Sequence, residues 1–248
     1  MKLSGNTILI TGGGTGIGKA LAKQLHKLGN EVLITGRREH RLKEVQAECP
    51  GIHIKRSDIN SDADRRELLA LVKSKFPKLN ILFNNGASQR NYDLKLGIDG
   101  LAGAEEEISI ALTAPILLTG YFIPLLAAQQ HPAIVNVTSV LGMTPLTPIP
   151  IYCAAKAGFH VYSMLLRKHL EGTPIKVFEA PPPKVETELN SEGRKHSGAV
   201  MGPKGLEADD YAAYIIDCLG KDQLNAYYPP MDEMYRKPRC ETEPSRIK

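Results

Sequence analysis

Tyr152 and Lys156 carry the side chains with the clearest catalytic chemistry in this sequence. On a helix, a spacing of four residues places the phenol and the ammonium group one turn apart on the same face. The positive charge favours the ionised phenol and moves its pKa from about 10 toward neutrality. Such a phenol can act as a general acid for carbonyl reduction or as a general base for alcohol oxidation. A lone Y-x-x-x-K pair is more often a surface feature, so the surrounding residues must indicate whether the pair is catalytic.

Ser139 supplies part of that context, because it ends the apolar stretch AIVNVTS at 133–139. We predict a parallel strand there, and folds built from parallel strands bind ligands at the carboxyl ends of the strands. A hydroxyl group at this edge can donate a hydrogen bond to a substrate oxygen. Ser139, Tyr152 and Lys156 are therefore the predicted catalytic residues.

The stretch TGGGTGIG at 11–18 is the second chemical signal. Its glycines lie between a predicted strand and a predicted helix, where the absence of a Cβ lets the backbone turn tightly and approach a phosphate. The free N–H groups at the start of the helix then hold a pyrophosphate. The gap between the first and second glycines of the motif is two residues longer than in the usual dinucleotide fingerprint. The alternative is a tight turn without a ligand. The predicted binding residues in the turn are Gly12, Gly14, Thr15, Gly16, Ile17 and Gly18.

Arg37 and Arg38 follow the second predicted strand, at the place that usually selects the nucleotide. An acidic residue there would accept a hydrogen bond from the ribose 2′-hydroxyl of NAD(H). Two guanidinium groups can instead bind a 2′-phosphate. The sequence thus favours NADP(H) over NAD(H), the alternative being that these arginines merely begin a solvated helix.

Strands and helices alternate along the chain. This order predicts a single-domain, Rossmann-like, doubly wound three-layer α/β/α fold with about seven parallel strands. The domain is expected to span 1–235, with a substrate loop at 183–206 and a basic C-terminal tail at 236–248. The strands are predicted at 6–11, 31–36, 52–56, 79–85, 133–139 and 175–180, and the longest helices at about 104–128 and 151–170.

Composition and charge limit the classes of partner and the cellular compartment that we expect for this chain. The net charge of +4 comes with five basic residues in the last thirteen positions, a pattern that predicts a solvated tail and no nucleic-acid binding. Four widely spaced cysteines with no metal-ligand spacing fit a reducing cytoplasm and predict no metal site. We expect no signal peptide, because the apolar residues near Met1 are too few.

The stretch at 108–128 approaches membrane-spanning length, and no Asp, Glu, Lys or Arg occurs between Glu107 and Lys156. Pro115, Gly120 and Pro124 interrupt it, and it lies between two predicted strands of the repeating α/β pattern. We therefore predict a helix buried against a sheet or a subunit, and no membrane partner.

Together, TGGGTGIG at 11–18, Asn84-Asn85-Gly86, Ser139 and the Tyr152/Lys156 pair resemble the short-chain dehydrogenase/reductase family over about the first 190 residues. Within it, FNNGASQRNYDL and APPPKVETEL are most similar to the DltE-type oxidoreductases. The family places its serine thirteen positions before the tyrosine, and 152 − 139 gives that spacing.

The resemblance also implies further roles. Ser139 would donate to the substrate oxygen, and Lys156 would also hold the nicotinamide ribose. Asp58 and Ile59 would flank the adenine. The residues implied to line the rest of the cofactor groove are Asn84, Asn85, Gly86, Pro182, Val185 and Thr187.

Three departures from the family pattern matter. Gly86-Ala87 replaces the usual Ala-Gly order, a change that we expect to be tolerated. Pro183 stands where the family has a glycine, which removes backbone freedom. Ala111 stands where many members carry an asparagine that holds a water in the proton relay behind the lysine. The alternative is that Ser109 or Thr113 substitutes for it if the helix rotates slightly.

The leading hypothesis is an NADP(H)-dependent oxidoreductase acting on a small-molecule carbonyl or secondary alcohol. The alternative is an NADP(H)-binding sensor or scaffold with little turnover, which Ala111 and Pro183 keep open. A sugar-nucleotide epimerase or dehydratase would need a larger C-terminal domain than the residues after Thr187 provide. The two long, weakly charged helices predict a homodimer or homotetramer. Substrate identity does not follow from the sequence.

Overall fold

A single parallel β-sheet organises the chain. In the computed structural model, which describes residues 1–189 and 204–229, the sheet has six strands in the order β3-β2-β1-β4-β5-β6. This doubly wound order reverses between β1 and β4, where such sheets open a crevice for ligands. The strands are β1 (Thr7–Thr11), β2 (Glu31–Gly36), β3 (His53–Arg56), β4 (Leu79–Asn84), β5 (Ala133–Val137) and β6 (Lys176–Ala180).

The predicted α/β class and layer order are confirmed, whereas the strand count of about seven is too high for the described residues. In the described part of the chain, Asn225 forms an isolated parallel bridge with Glu179 at the outer edge of β6. The backbone N–H of Glu179 donates to Leu224 O at 2.8 Å, and that of Ala226 donates to Glu179 O at 2.8 Å. These bonds satisfy the free edge of β6 without a regular seventh strand.

Helices cover both faces of the sheet, because the parallel strands are apolar on both sides. On one face, α1, α2 and α7 pack through side chains such as Leu21, Leu42 and Tyr211. On the other face, α3 and α5 pack through Leu68 and Phe122. The helices are α1 (Gly16–Lys27), α2 (Glu39–Glu48), α3 (Asp62–Lys75), α4 (Ala104–Ile108), α5 (Ala114–Ala127), α6 (Pro150–His169) and α7 (Ala208–Gly220).

The long apolar segment consists of α4, a π-helical turn at Ser109–Thr113, and α5. Ala104–Ala127 is, in the described part of the chain, the one helical stretch long and apolar enough to cross a membrane by length and composition. Leu118, Phe122 and Leu126 nevertheless bury one side of it in the core beside β4 and β5. This packing agrees with the prediction of a helix lying on the sheet.

The segment predicted as a substrate loop falls mostly outside the described residues, as does the basic tail at 236–248. Both ends of the loop are described. Val185 and Leu206 form an isolated parallel bridge, with Leu206 N donating to Lys184 O at 2.9 Å and Glu186 N donating to Leu206 O at 2.8 Å. The two ends of the loop are thus joined beside the sheet.

The N-terminus of α3 holds the loop that follows β3. Ser61 Oγ accepts from the backbone N–H of Asp64 at 3.2 Å and donates to its carboxylate at 2.9 Å. The other oxygen of Asp64 accepts from the backbone N–H of Asp58 at 2.7 Å. The helix cap therefore also fixes the position of Asp58 at the edge of the sheet.

Replacing Ser61 with alanine should lower the free energy of unfolding by about 1 kcal/mol, since the first turn of α3 loses its side-chain cap. Ser74→Ala is the matched control at the other end of the same helix, where the exposed hydroxyl only donates to Leu71 O. Urea denaturation of the two variants measures the difference. Equal losses would show that the cap does not stabilise the fold.

Candidate active site

A groove opens at the carboxyl ends of β1 and β4 and runs from the glycine turn to Tyr152 and Lys156. Fifteen of the predicted site residues line it: Gly12, Gly14, Thr15, Gly16, Ile17, Arg37, Arg38, Asp58, Ile59, Asn85, Gly86, Tyr152, Lys156, Pro182 and Thr187. The fold thus brings most of the predicted site residues to one edge of the sheet.

The glycine turn is fixed by hydrogen bonds from β4. Asn85 Nδ2 donates to the carbonyl oxygens of Thr11 at 3.0 Å and Gly12 at 3.2 Å. Thr11 Oγ1 accepts from the backbone N–H groups of Asn85 at 3.0 Å and Gly86 at 3.1 Å, and donates to Phe83 O at 3.2 Å. The turn is therefore bonded directly to the neighbouring strand at the switch point.

Glycine is required at two positions of this turn for different reasons. Gly12 has a φ of +65°, and a Cβ there would lie 2.9 Å from Gly86 Cα. A Cβ on Gly18 would lie 2.3 Å from Gly12 O, so this glycine lets α1 begin directly against the turn. Gly18 does not line the groove itself; it permits the packing that forms the groove.

Three arginines lie at the far end of the groove. Arg38 Nη1 pairs with Glu188 at 3.0 Å, and Arg37 Nη1 pairs with Glu106 at 2.6 Å. Arg41 Nη2 also pairs with Glu188 at 2.8 Å. Sequence reasoning missed Arg41 and Glu188; Arg41 lies in the first turn of α2, and Arg37 precedes the helix.

Ser139, Tyr152 and Lys156 come together at the other end. A hydrogen bond joins the side chains of Ser139 and Tyr152, and Lys156 Nζ donates to Val137 O at 2.8 Å. The ammonium group lies 5.8 Å from the centroid of the Tyr152 ring. All three residues are buried, with at most 4% of their surface exposed.

The protonation of this cluster differs from the sequence-based expectation. Burial raises the pKa of Tyr152 to about 12, while the hydrogen bond from Ser139 acts in the opposite direction. Burial also lowers the pKa of Lys156 to about 7. The expected lowering of the phenol pKa by the lysine is therefore wrong for this structure, because desolvation disfavours both charged forms.

Asn84 was predicted to contact the cofactor, but its side chain lies inside the fold. Its Nδ2 donates to Thr119 Oγ1 and to Asn136 Oδ1, both at 2.9 Å. Asn136 Nδ2 in turn donates to Ser163 Oγ on α6 at 2.9 Å. This buried chain of hydrogen bonds fastens α6, which carries Tyr152, to the sheet.

Two other predicted residues also lie beside the groove instead of lining it. Val185 is buried against the core, because its backbone pairs with Leu206. Ser139 is covered by Tyr152, and its hydroxyl also accepts from the backbone N–H of Leu141 at 3.1 Å. Val140 N donates to Pro182 O at 3.2 Å, which positions the strand end against the next loop.

Ala111 is fully buried in the π-helical turn. Ser109 Oγ donates to Asn60 Oδ1 at 2.9 Å, so its hydroxyl is engaged with the loop after β3. Thr113 is exposed. The expectation that either residue substitutes for the family's asparagine is therefore wrong for this structure, although the helix retains an irregular turn at that place.

A nicotinamide dinucleotide fits this groove on two observations. The glycine turn leaves space that a Cβ would fill, and its N–H groups lie at the start of α1. Thr35 Oγ1 and Ser57 Oγ line the groove and are buried without a partner within the described structure. These hydroxyls are available to the polar groups of a bound nucleotide.

Comparison with known proteins agrees with this geometry. A family model described as short chain dehydrogenase matches residues 6–198. The chain belongs to the short chain dehydrogenase family.

Two relatives and one solved structure illustrate the place of the chain within that family. It is 41% identical over 226 residues to the uncharacterized oxidoreductase DltE of Bacillus subtilis (strain 168), covering 90% of this chain and 89% of that protein. It is 28% identical over 181 residues to the NADP-dependent 3-hydroxy acid dehydrogenase YdfG of Escherichia coli (strain K12), covering 71% of each. A 3-ketoacyl-(acyl-carrier-protein) reductase from Brucella melitensis, complexed with NADH, superposes with a TM-score of 0.78 at 26% identity, covering 90% of this chain and 93% of that one. The chain is thus an oxidoreductase-family member similar to DltE.

Gly18→Ala should weaken NADPH binding at least ~10-fold and destabilise the fold by about 1–3 kcal/mol, because the added methyl group meets the backbone of the turn. Isothermal titration calorimetry and urea denaturation measure the two effects. Gly120→Ala is the control, since a Cβ there has no heavy atom within 4 Å. Unchanged NADPH binding by Gly18→Ala would contradict the role given to the turn.

Lys156→Met should stabilise the protein most below about pH 7, where the buried amine of the native chain is charged. The folded pKa is lowered from 10.5 to about 7, so unfolding takes up a proton between those values and the stability of the native chain rises with pH there. The advantage of the methionine variant should shrink from pH 7 to pH 10 in urea denaturation. Lys168→Met, exposed on the same helix, should show no such trend.

Proposed function

We propose that the chain is an NADP(H)-dependent oxidoreductase that transfers a hydride between nicotinamide and a carbonyl or secondary alcohol, a reaction on CH–OH groups. The observation that carries this proposal is the placement of Tyr152 and Lys156, with Ser139 hydrogen-bonded to the phenol, at one end of a groove whose other end holds Arg37, Arg38 and Arg41. A dinucleotide in the groove would lie with its pyrophosphate on the glycine turn. The bound cofactor would supply or accept the hydride.

The chain's own residues perform the proton chemistry. Tyr152 holds a proton at physiological pH, since its pKa is raised, and can donate it to a carbonyl oxygen as negative charge develops there. Ser139, bonded to that phenol, offers its hydroxyl to the same oxygen. The buried position of both groups excludes water and strengthens their hydrogen bonds to the substrate.

Lys156 has two roles in this proposal. Its ammonium group lies close enough to the Tyr152 ring to stabilise negative charge that forms on the phenol after proton donation. It is also one of the residues that line the groove, where it would hold the nicotinamide ribose. A pKa of about 7 lets this amine both donate and accept a proton near neutral pH.

NADP(H) is favoured over NAD(H) by the arginine cluster, because three guanidinium groups surround the place where a 2′-phosphate would lie. The NADP-dependent relative from Escherichia coli agrees with this preference, while the Brucella structure holds NADH. The proposal therefore depends on the arginines of this chain.

The second candidate function is an NADP(H)-binding sensor or scaffold with little turnover. Ala111 favours it, because a methyl group cannot hold a relay water, and Ser109 and Thr113 are directed elsewhere. Tight NADPH binding without consumption of NADPH by any carbonyl compound would support this candidate.

We also propose that the protein is cytoplasmic and forms a homodimer or homotetramer. The three cysteines among the described residues are free, which fits a reducing compartment. On α5 and α6, Leu117, Val161 and Leu165 are exposed apolar side chains that a two-fold partner can cover.

Tyr152→Phe should reduce kcat/KM for carbonyl reduction at least ~100-fold while NADPH binding is retained, because the proton donor is lost and the ring remains. NADPH consumption with a panel of aldehydes and ketones measures turnover. Tyr162→Phe, on the same helix, is the matched control. Full activity of the Tyr152 variant would refute the proposed function.

Replacing both Arg38 and Arg41 with alanine should weaken NADPH binding about 10–100-fold and change NADH binding little, since only NADPH carries the extra phosphate. Lys43→Ala serves as the control, because this exposed residue on α2 pairs with Glu39. Calorimetric titration with each cofactor separates the two cases. An equal loss for NADH would argue against a 2′-phosphate site.

A further inference from the structure

Glu107, on α4, is a carboxyl group buried without a countercharge paired to it. None of its surface is exposed. One carboxylate oxygen accepts from the Tyr92 hydroxyl at 3.1 Å, and the backbone N–H of Arg90 also donates to the carboxyl group. The other oxygen, Oε1, is buried and has no hydrogen-bond partner in the described part of the chain.

This carboxyl group lies close to the proposed proton donor. The short helix α4 packs against α6. Burial is the main cause of the raised pKa values of Tyr152 and Cys153, and the charge of Glu107 raises both further. The loop that carries Tyr92 is bonded to the segment just before α6, since Tyr92 N donates to Pro148 O at 3.0 Å. Glu107 is thus held between the loop after β4 and the start of α6.

The other charged groups around Glu107 do not cancel its charge. The Arg90 guanidinium forms its ion pair with the half-buried Glu106, and its charge lowers the pKa of Glu107 less than burial raises it. Tyr92 and Cys153 are neutral near pH 7, and burial raises the pKa of the Cys153 thiol. In these surroundings burial raises the pKa of Glu107 to about 7.

A negative charge in a poorly solvated region makes it harder to remove a proton from a neighbouring acid. When Glu107 is ionised, it therefore opposes the formation of a phenolate on Tyr152. A protonated Tyr152 is the form needed to reduce a carbonyl group, whereas alcohol oxidation needs the phenolate.

We propose that Glu107 is a positioning residue whose buried charge keeps the Tyr152 phenol protonated and so extends carbonyl reduction to higher pH. This inference rests on the proposed role of Tyr152 as general acid. Glu107 lies one helical turn before Ala111, and this buried carboxyl group thereby has a role in the proton chemistry of the site. The equilibrium of the reaction is unchanged; the pH range in which each direction proceeds is what the charge sets.

The test compares Glu107→Gln, which removes the charge and keeps the shape, with Glu107→Asp, which keeps the charge. Glu105→Gln, an exposed residue of the same helix, controls for the loss of one negative charge. The probes are NADPH with ethyl acetoacetate and with 4-nitrobenzaldehyde. In Glu107→Gln, the upper pKa of the kcat/KM profile for reduction should fall by roughly half a pH unit or more. Glu107→Asp and Glu105→Gln should retain the native profile.

A second readout does not depend on turnover. In protein labelled with 13C at tyrosine Cζ, the Tyr152 signal, identified by its loss in Tyr152→Phe, reports the phenol pKa with and without NADP+. Glu107→Gln should lower that pKa; Glu107→Met carries the same test if the glutamine variant does not fold. An unchanged Tyr152 pKa in the charge-neutral variant overturns the inference.

The two proposals fail in different ways. If the native chain reduces neither probe, or if Tyr152→Phe remains active, the proposed function fails, and the NMR titration still decides whether Glu107 acts on Tyr152. If Tyr152→Phe is inactive and the profile of Glu107→Gln matches that of Glu105→Gln, only the inference about Glu107 fails.

Discussion

The hydrogen bonds between the end of β1 and the end of β4 are the constraint on which the site depends. Thr11 and Asn85 join the two strands where the sheet reverses its winding, and each bonds to the backbone of the other's segment. Because the strands diverge beyond this point, the glycine turn cannot shift without breaking several bonds at once. The groove, the start of α1 and the approach to Tyr152 all take their position from this junction.

Burial is the second organising principle. A chain of buried amides and hydroxyls, from Thr119 through Asn84 and Asn136 to Ser163, connects the central helix, two strands and α6. Such a chain is stable only when its members are satisfied, so it fixes the rotation of α6 and with it the direction of Tyr152. Burial around that helix also raises the pKa values of Tyr152 and Glu107 and lowers that of Lys156.

Much of the fold could be predicted from the sequence, because buried parallel strands are apolar runs and the helix boundaries carry caps and glycines. β2 was predicted at its observed bounds. The candidate catalytic pair could be predicted because a spacing of four residues places two side chains on the same face of a helix. Asn84 could not be placed correctly, since an amide at a strand end serves a core network as well as a ligand. The predicted direction of the phenol pKa shift was wrong, because the spacing of residues indicates proximity to a charge but does not indicate desolvation.

Glu107 and Arg41 show the other limit of the sequence. Both belong to helices rich in charged residues, and only tertiary packing distinguishes the buried Glu107 and the groove-lining Arg41 from their charged neighbours. No period within α4 separates Glu107 from Glu105 and Glu106.

The bridge between Val185 and Leu206 has a consequence for how such a protein diversifies. The two ends of the intervening segment are bonded to each other beside the sheet. Because the entropy of closing a loop grows only slowly with its length, the length of that segment can change with little effect on the free energy of folding. Insertions, deletions and exchanges of that segment between relatives thus change the free energy of folding little.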